Sequence, residues 1–225
     1  MTHSGKYRAA RLACALSIFS ALAGSTAPSP LYPIYLERLG LDYTMVTALF
    51  AIYSLGALGS LLALPVIPAV ISDRRLVLAG GLILTTAGLV LFSMAHAITP
   101  LLVGRFLSGI GTGAISVVAS AMLYELAPPD QRKWSATVAT LAFTAGGTGG
   151  PLLTAAALAT DTSPTTAPFW FIAGMCVAAL IILVTARWPA RSVSAQTVEP
   201  ARAGHSSPGQ SSRALFRLAC LAVGV

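Results

Sequence analysis

The feature that most constrains this chain is a series of long intervals that contain no charged residue. Aspartate, glutamate, lysine and arginine are missing from residues 12–36, 43–72, 76–104, 134–160 and 162–186. An α-helix needs about 20 consecutive apolar residues to cross the hydrocarbon core of a bilayer. One more interval, 101–124, carries only the charge of Arg105, so the sequence predicts six membrane-spanning helices.

Composition supports this class and excludes two others. Only 9% of the residues are charged and 56% are hydrophobic, whereas a soluble domain carries about 25% charged residues. Transmembrane barrel strands are about ten residues long and alternate in polarity, which does not describe these unbroken intervals. We predict an all-α membrane protein, a six-helix bundle whose spans cover approximately residues 11–35, 44–67, 76–95, 101–124, 134–159 and 168–187.

The basic residues predict the orientation of the chain. If every span crosses, twelve of the fourteen basic residues lie on one side, namely before span 1, between spans 2 and 3, between spans 4 and 5, and after span 6. The positive-inside rule then places both termini in the cytoplasm, and we expect the chain in the plasma (inner) membrane. This distribution explains the net charge of +7, so we expect the lipid bilayer as a partner and no nucleic acid.

The chain divides into three regions by composition. Residues 1–187 contain the six predicted spans. Residues 188–213 are rich in Ser, Pro, Gly and Arg without an apolar period, which indicates a flexible cytoplasmic linker. Residues 214–225 are apolar again but too few to span a bilayer, which indicates the truncated start of a seventh helix.

Arg105 is the one charge inside a predicted span. An arginine at the centre of a transmembrane helix costs about 2.5–3.5 kcal/mol on insertion scales. Gly109 and Gly113 follow at intervals of four residues and allow a second helix to approach closely. Two interpretations are open. Either Arg105 faces an internal water-filled cavity and contacts an anionic or carbonyl group, or it reaches the outer headgroups from roughly 7–8 Å beyond Pro100.

Two other spans contain residues that weaken helices. Span 1 carries Pro28, Pro30 and Pro33, which either bend the end of the helix or mark the loop that leaves it. Span 5 carries the sequence GGTGGP at residues 146–151. Because glycine costs about 1 kcal/mol relative to alanine in a helix, this segment is either a bendable hinge or a tight contact between helices.

The short connection between spans 2 and 3 contains three charged residues in a row, Asp73, Arg74 and Arg75. An aspartate can accept hydrogen bonds from amide groups at the start of a helix or pair with a nearby arginine. The simpler interpretation is that these are ordinary positive-inside charges at a turn.

Together these motifs resemble the N-terminal half of a major facilitator superfamily transporter, over about residues 8–187, the linker and the start of span 7. The family's pattern Arg-x-x-x-Gly-x-Gly in span 4 is present here as Arg105, Gly109 and Gly111. The resemblance implies two inverted three-helix repeats, with spans 1 and 4 lining the solute cavity and spans 2 and 5 meeting the other half. It assigns Arg105, Gly109, Gly113 and Tyr32 to the cavity and to coupling.

Two patterns of the family are kept only in part. In span 5, Gly146, Gly150 and Pro151 match a pattern typical of antiporters, which suggests efflux and assigns these residues to hinge movement and packing. The loop after span 2 keeps Asp73 and Arg74 but lacks the Gly-Arg-Arg turn that follows in the family. The resemblance implies a gating role for residues 73–75, which this missing turn leaves incomplete.

We therefore expect secondary active or facilitative transport of a small solute by alternating access, with this chain as the N-terminal half. The expected partners are the small-molecule substrate, a proton in a coupled mechanism, and a missing C-terminal half or a second copy. The alternative is a non-transporting six-helix scaffold or assembly subunit.

No enzymatic chemistry is expected from the motifs. The chain contains no GxxxxGK[ST] sequence for binding ATP. Ser108-Gly109 lacks the first glycine of the Gly-x-Ser-Gly motif of an intramembrane serine protease, and no histidine lies in spans 4–6. The three cysteines have no spacing typical of a zinc site or a disulfide framework, so no cofactor and no metal are expected.

Overall fold

The fold is described by a computed structural model for residues 7–40, 42–64, 73–160, 163–186 and 188. Most of these residues are helical, and no strand occurs among them. Six helical segments are long and apolar enough to cross a membrane, which confirms the predicted spans. The predicted linker and the start of a seventh helix lie outside the described residues, except for Trp188.

Span 1 consists of two helices, α1 (Arg8–Thr26) and α2 (Tyr32–Leu39), with a 3-10 turn (Ser29–Leu31) between them. Each remaining span is a single helix. Spans 2–6 are α3 (Tyr43–Ala63), α4 (Arg74–Ser93), α5 (Ile98–Glu125), α6 (Arg132–Ala159) and α7 (Ala167–Thr185).

Span 1 is longer than the sequence predicts, because its prolines interrupt the helix without ending it. The predicted end lies near residue 35, whereas α2 continues to Leu39. Gly40 ends it in the left-handed conformation, with a φ of 60°, which glycine adopts without steric penalty at a helix C-terminus.

Burial divides the six spans into two equivalent sets of three. The buried share of the most apolar segment is 61, 17 and 39% in spans 1, 2 and 3, and again 61, 17 and 39% in spans 4, 5 and 6. Span 1 packs mainly against spans 4, 5 and 6, span 4 packs mainly against spans 1, 2 and 3, and spans 3 and 6 contact each other. Exchanging the first three spans with the last three leaves this pattern unchanged. Because an odd number of crossings separates equivalent spans, the two repeats are inverted.

Glycines on two faces of span 4 determine how closely its neighbours pack. On one face, a Cβ atom on Gly109 would overlap the carbonyl oxygen of Tyr53 in span 2. On another face, a Cβ atom on Gly104 would lie 2.9 Å from the carbonyl oxygen of Gly88 in span 3. These contacts require residues without side chains, so the backbones of spans 2 and 3 both lie directly against span 4.

Candidate functional site

Arg105 lies inside the bundle, seven residues after the start of span 4 at Ile98. Only 2% of the residue is exposed. A guanidinium that reaches lipid headgroups must extend to the protein surface, and this one is covered by protein. The structure therefore excludes the interpretation in which Arg105 reaches the headgroups.

The guanidinium of Arg105 connects the two helices of span 1. Its Nη1 donates to the carbonyl oxygen of Ser25 at 2.5 Å, and its Nη2 donates to the hydroxyl oxygen of Tyr32. Ser25 belongs to the last turn of α1, and Tyr32 is the first residue of α2. A cation is favoured at the C-terminus of a helix, where unpaired carbonyl groups concentrate negative partial charge.

Four aromatic rings surround the same charge. The guanidinium carbon lies 5.4 Å from the ring centroid of Tyr32, 5.8 Å from Phe50, 5.5 Å from Tyr53 and 5.4 Å from Phe92. A cation within about 6 Å of an aromatic face gains roughly 0.5–2 kcal/mol, more when water is excluded. The rings belong to spans 1, 2 and 3, so every span of the first repeat contributes to the surroundings of Arg105.

The charge of Arg105 has no carboxylate partner within the described ranges. The ion pairs found there are Arg74–Glu125 and Arg75–Asp73. The Nε atom of Arg105 is buried and makes no hydrogen bond. Because a guanidinium offers five N–H donors, Arg105 retains unused hydrogen-bonding capacity and an uncompensated charge in the interior.

The other residues that the sequence assigns to the cavity divide into two groups. Tyr32 is buried and contacts Arg105 directly. Gly109 and Gly113 face the backbone of span 2, where a Cβ atom on Gly113 would lie 2.8 Å from the carbonyl oxygen of Ala57. These glycines bring span 2 close enough for the rings of Phe50 and Tyr53 to cover Arg105, so their connection with the site is indirect.

The glycines of span 5 contact span 1 beside its interruption. A Cβ atom on Gly146 would overlap the carbonyl oxygen of Phe19, and one on Gly150 would overlap that of Ala23. Pro151 lies inside the continuous helix α6. The tight contact between helices that the sequence left open is present.

The charged residues after span 2 connect the start of span 3 with two other spans. The carboxylate of Asp73 accepts from the backbone N–H of Arg75 at 3.0 Å and from its Nε at 3.1 Å, so both of the contacts that the sequence allows are present. Arg74 pairs with Glu125 at the end of span 4. The guanidinium of Arg75 also lies 5.6 Å from the ring of Trp188, just after span 6.

Sequence reasoning missed Ser25, Phe50, Tyr53 and Phe92 around Arg105, and it missed Thr154 at the interruption of span 1. The spacing of Phe50 and Tyr53 places both rings on one side of span 2, on neighbouring turns. This spacing could have indicated from the sequence that the two rings act together. No local pattern indicates that Thr154 of span 5 donates to the carbonyl oxygen of Ala27 in span 1, at 2.8 Å.

The sequence model of the Major Facilitator Superfamily matches residues 14–225. The chain belongs to this superfamily. Comparison with curated proteins gives no match. As a member of the superfamily the chain is an integral membrane protein, in agreement with its six apolar spans.

Solved transporters of this superfamily have the same fold. The peptide transporter POT in complex with sulfate aligns with a TM-score of 0.65 at 18% identity, over 95% of this chain and 43% of that chain. A POT family transporter in complex with 5-aminolevulinic acid aligns with a TM-score of 0.63 at 17% identity, over 78% of this chain and 37% of that chain. The chain thus spans less than half the length of the solved transporters that it matches.

Proposed function

We propose that this chain is the N-terminal half of a secondary active or facilitative transporter that moves a small solute by alternating access. Residues 1–187 supply one six-helix domain, residues 188–213 a linker, and residues 214–225 the start of the seventh helix. Membership of the superfamily and the inverted repeats support this proposal. In this proposal the chain lies in the plasma (inner) membrane, and the distribution of basic residues supports an orientation with both termini in the cytoplasm.

The exposed faces of spans 2 and 5 support the presence of a second domain. Only 17% of the apolar segment of either helix is buried within this chain. Large apolar side chains remain exposed on both, including Leu55, Leu58 and Leu62 on span 2 and Leu141 and Leu152 on span 5. We assign these faces to contact with the C-terminal half or a second copy.

The observation that carries the proposal is the buried guanidinium of Arg105, with its unpaired Nε. A membrane scaffold has no use for an interior charge that raises the free energy of insertion by about 2.5–3.5 kcal/mol. In a transporter, the same group binds an anionic or carbonyl group of the solute when it leaves Ser25 and Tyr32. Tyr32 then completes the solute site, and Gly109 and Gly113 allow span 2 to close over it.

The charged residues after span 2 form the cytoplasmic gate in this proposal. The contacts of Arg74 with Glu125 and of Arg75 with Trp188 connect spans 3, 4 and 6. Glu37 and Glu125 are exposed near helix ends, so we assign proton coupling to the other half. Gly146, Gly150 and Pro151 let span 5 move against span 1, as efflux by antiport requires.

Aqueous accessibility at position 105 tests the solute cavity. Arg105→Cys and Val117→Cys are made in a chain whose native cysteines, Cys14, Cys176 and Cys220, are replaced by serine. Val117 lies on the same helix and is 45% exposed on the bundle surface, where lipid excludes water. We expect a water-soluble maleimide supplied from the cytoplasmic side to label Arg105→Cys and not Val117→Cys. Equal protection of both cysteines contradicts the cavity and favours the scaffold.

Reconstitution tests the claim that the chain is one half. The purified 225-residue chain is inserted into liposomes and supplied with labelled amino acids, sugars and organic anions. We expect no saturable uptake, because alternating access requires two domains that move against each other. Saturable uptake by the chain alone would show that it is a complete transporter.

A further inference from the structure

The interruption of span 1 leaves backbone carbonyl groups without helical donors. We call residues 27–31 the break. In a continuous helix the carbonyl oxygens of Gly24 and Thr26 accept from residues 28 and 30, which are prolines and have no N–H. The N–H of Leu31 donates to Pro28 at 3.0 Å, whereas a continuous α-helix would direct it to Ala27. Each unsatisfied backbone group in a membrane interior costs several kcal/mol.

Thr154 of span 5 supplies a donor at the break. Its hydroxyl donates to the carbonyl oxygen of Ala27 at 2.8 Å, and the alternative acceptor in its own helix, Gly150, lies farther away at 3.3 Å. The side chain is fully buried. Since a hydroxyl has a single hydrogen, the shorter contact with span 1 is the better placed bond.

Other threonines of the same helix behave differently. The hydroxyl of Thr148 donates to the carbonyl oxygen of Thr144 at 2.9 Å, within span 5, and its side chain is exposed. Thr137, Thr140 and Thr144 likewise bond carbonyl groups four residues earlier in their own helix. A threonine in a helix usually bonds a carbonyl group of its own helix. Thr154 could satisfy its hydroxyl in the same way, so its contact with span 1 has another structural reason.

The second donor at the break is Arg105, which binds the carbonyl oxygen of Ser25, two residues before Ala27. The two donors come from spans 4 and 5, which are both in the second repeat. The two acceptors are in span 1, at the C-terminus of α1. The second repeat therefore donates hydrogen bonds to two carbonyl groups beside the break, those of Ser25 and Ala27.

We propose that Thr154 is a positioning residue that, together with Arg105, holds α1 and α2 in their relative orientation. Loss of either bond releases α2 without unfolding α1, because the helix does not continue through the break. The contact between spans 1 and 5 at Gly150 keeps Thr154 within reach of Ala27. The positioning role of these two hydrogen bonds is inferred from the contacts alone. Their use to transmit movement of span 5 to α2 during transport rests on the proposed function.

Hydrogen–deuterium exchange of the full chain in lipid nanodiscs tests this role. The variants are Thr154→Val, which keeps the shape and removes the hydroxyl, Thr154→Ser, which restores it, and Thr148→Val as the matched control. We expect Thr154→Val to accelerate exchange in residues 27–36 by about tenfold, as the loss of one buried hydrogen bond implies. Thr154→Ser and Thr148→Val should leave this segment within about twofold of the parent chain.

Whether faster exchange is confined to residues 27–36 or spread over all spans distinguishes a positioning role from a general contribution to stability. If Thr154→Val accelerates exchange equally in all six spans, Thr154 stabilises the bundle as a whole and the proposal is wrong. Unchanged exchange in residues 27–36 also contradicts it. Arg105→Gln, whose shorter side chain cannot bond Ser25 and Tyr32 together, should affect the same segment and no other. None of these readouts depends on transport, so they can fail while the proposed function stands.

Discussion

The proline-rich segment of span 1 and the glycine-rich segment of span 5 both contain residues that weaken helices, but only the first interrupts its helix. Residues 28–33 of span 1, PSPLYP, contain three prolines, and span 1 divides there into α1 and α2. Residues 146–151 of span 5, GGTGGP, contain four glycines and one proline, and α6 continues through them. The two segments are neighbours, because Gly150 lies against the backbone of Ala23.

The difference follows from the number of hydrogen-bond donors that each segment loses. Proline has no N–H, so span 1 loses three donors within six residues and span 5 loses one. Glycine reduces helix stability in water by about 1 kcal/mol, but it keeps its N–H. In a membrane, where unsatisfied backbone groups are costly, the count of donors decides continuity more than helix propensity does.

The glycines of span 5 have a packing role that the prolines of span 1 do not have. Gly146 and Gly150 touch the backbone of span 1, whereas Gly147 has no atom of another residue near the position of a Cβ. The spacing of four places the two contacting glycines on one face of the helix. Contact with span 1 therefore explains Gly146 and Gly150, and it does not explain Gly147.

The largest expected effect is the difference in stability between alanine substitutions at Gly150, which contacts span 1, and at Gly147, which does not. Gly150→Ala places a Cβ atom against backbone of span 1, including the Ala27 nitrogen at 2.9 Å, and should lower the free energy of unfolding by about 1–3 kcal/mol. Gly147→Ala has open space and should raise that free energy by up to about 1 kcal/mol. Unfolding in mixed micelles with increasing dodecyl sulfate measures both.

Equal effects of Gly150→Ala and Gly147→Ala would mean that the contact between spans 1 and 5 does not control stability. The glycines of span 5 would then have no packing role that distinguishes them from the prolines of span 1.

A second, smaller effect is expected when donors are restored to the break. Pro28→Ala and Pro30→Ala together supply the N–H groups for the carbonyl oxygens of Gly24 and Thr26. Hydrogen exchange of the amides of Ser29 and Leu31, which both chains contain, should become about tenfold slower, since one or two new hydrogen bonds each contribute about 1 kcal/mol. Pro33→Ala is the control, because Pro33 lies in the first turn of α2, where a missing N–H is harmless.

If Pro33→Ala slows exchange as much as the double substitution, the number of missing donors at the break is not what interrupts span 1.

The smallest expected effect concerns the single proline of span 5. Pro151→Ala restores one donor, to the carbonyl oxygen of Gly147, in a helix that is already continuous. It should raise the free energy of unfolding by about 0.5–1.5 kcal/mol, the net contribution of one hydrogen bond. The same titration in dodecyl sulfate measures this change, and a decrease in stability would mean that Pro151 has a packing role of its own.

Much of the fold was predictable, because the bilayer imposes its requirements on continuous segments of sequence. Charge-free intervals identified the six spans, and an aspartate before a helix identified the contacts of Asp73 with Arg75. The interruption near Pro28 and Pro30 was one of two interpretations, since the sequence does not determine whether a helix resumes after a proline-rich segment. Tyr32 and the residues after it form that second helix.

The partners of the site were less predictable, because they depend on which faces of distant helices meet. The spacing of Gly109 and Gly113 indicated a close contact, yet only the fold shows that the contact is with span 2. The bond from Thr154 to Ala27 joins residues far apart in sequence. Nothing in the pattern of either segment distinguishes this threonine from Thr148.

The central claim is that the guanidinium of Arg105 lies within the protein, against the last turn of α1. Rotational-echo double-resonance NMR tests it in lipid bilayers, with ¹⁵N in the arginine Nη atoms and ¹³C in the serine carbonyl carbons. The distance from Arg105 Nη to the Ser25 carbonyl carbon should be about 3.5–4 Å, giving strong dephasing that disappears in Arg105→Gln. Dephasing that is identical in the parent chain and in Arg105→Gln would place the guanidinium elsewhere and contradict the account.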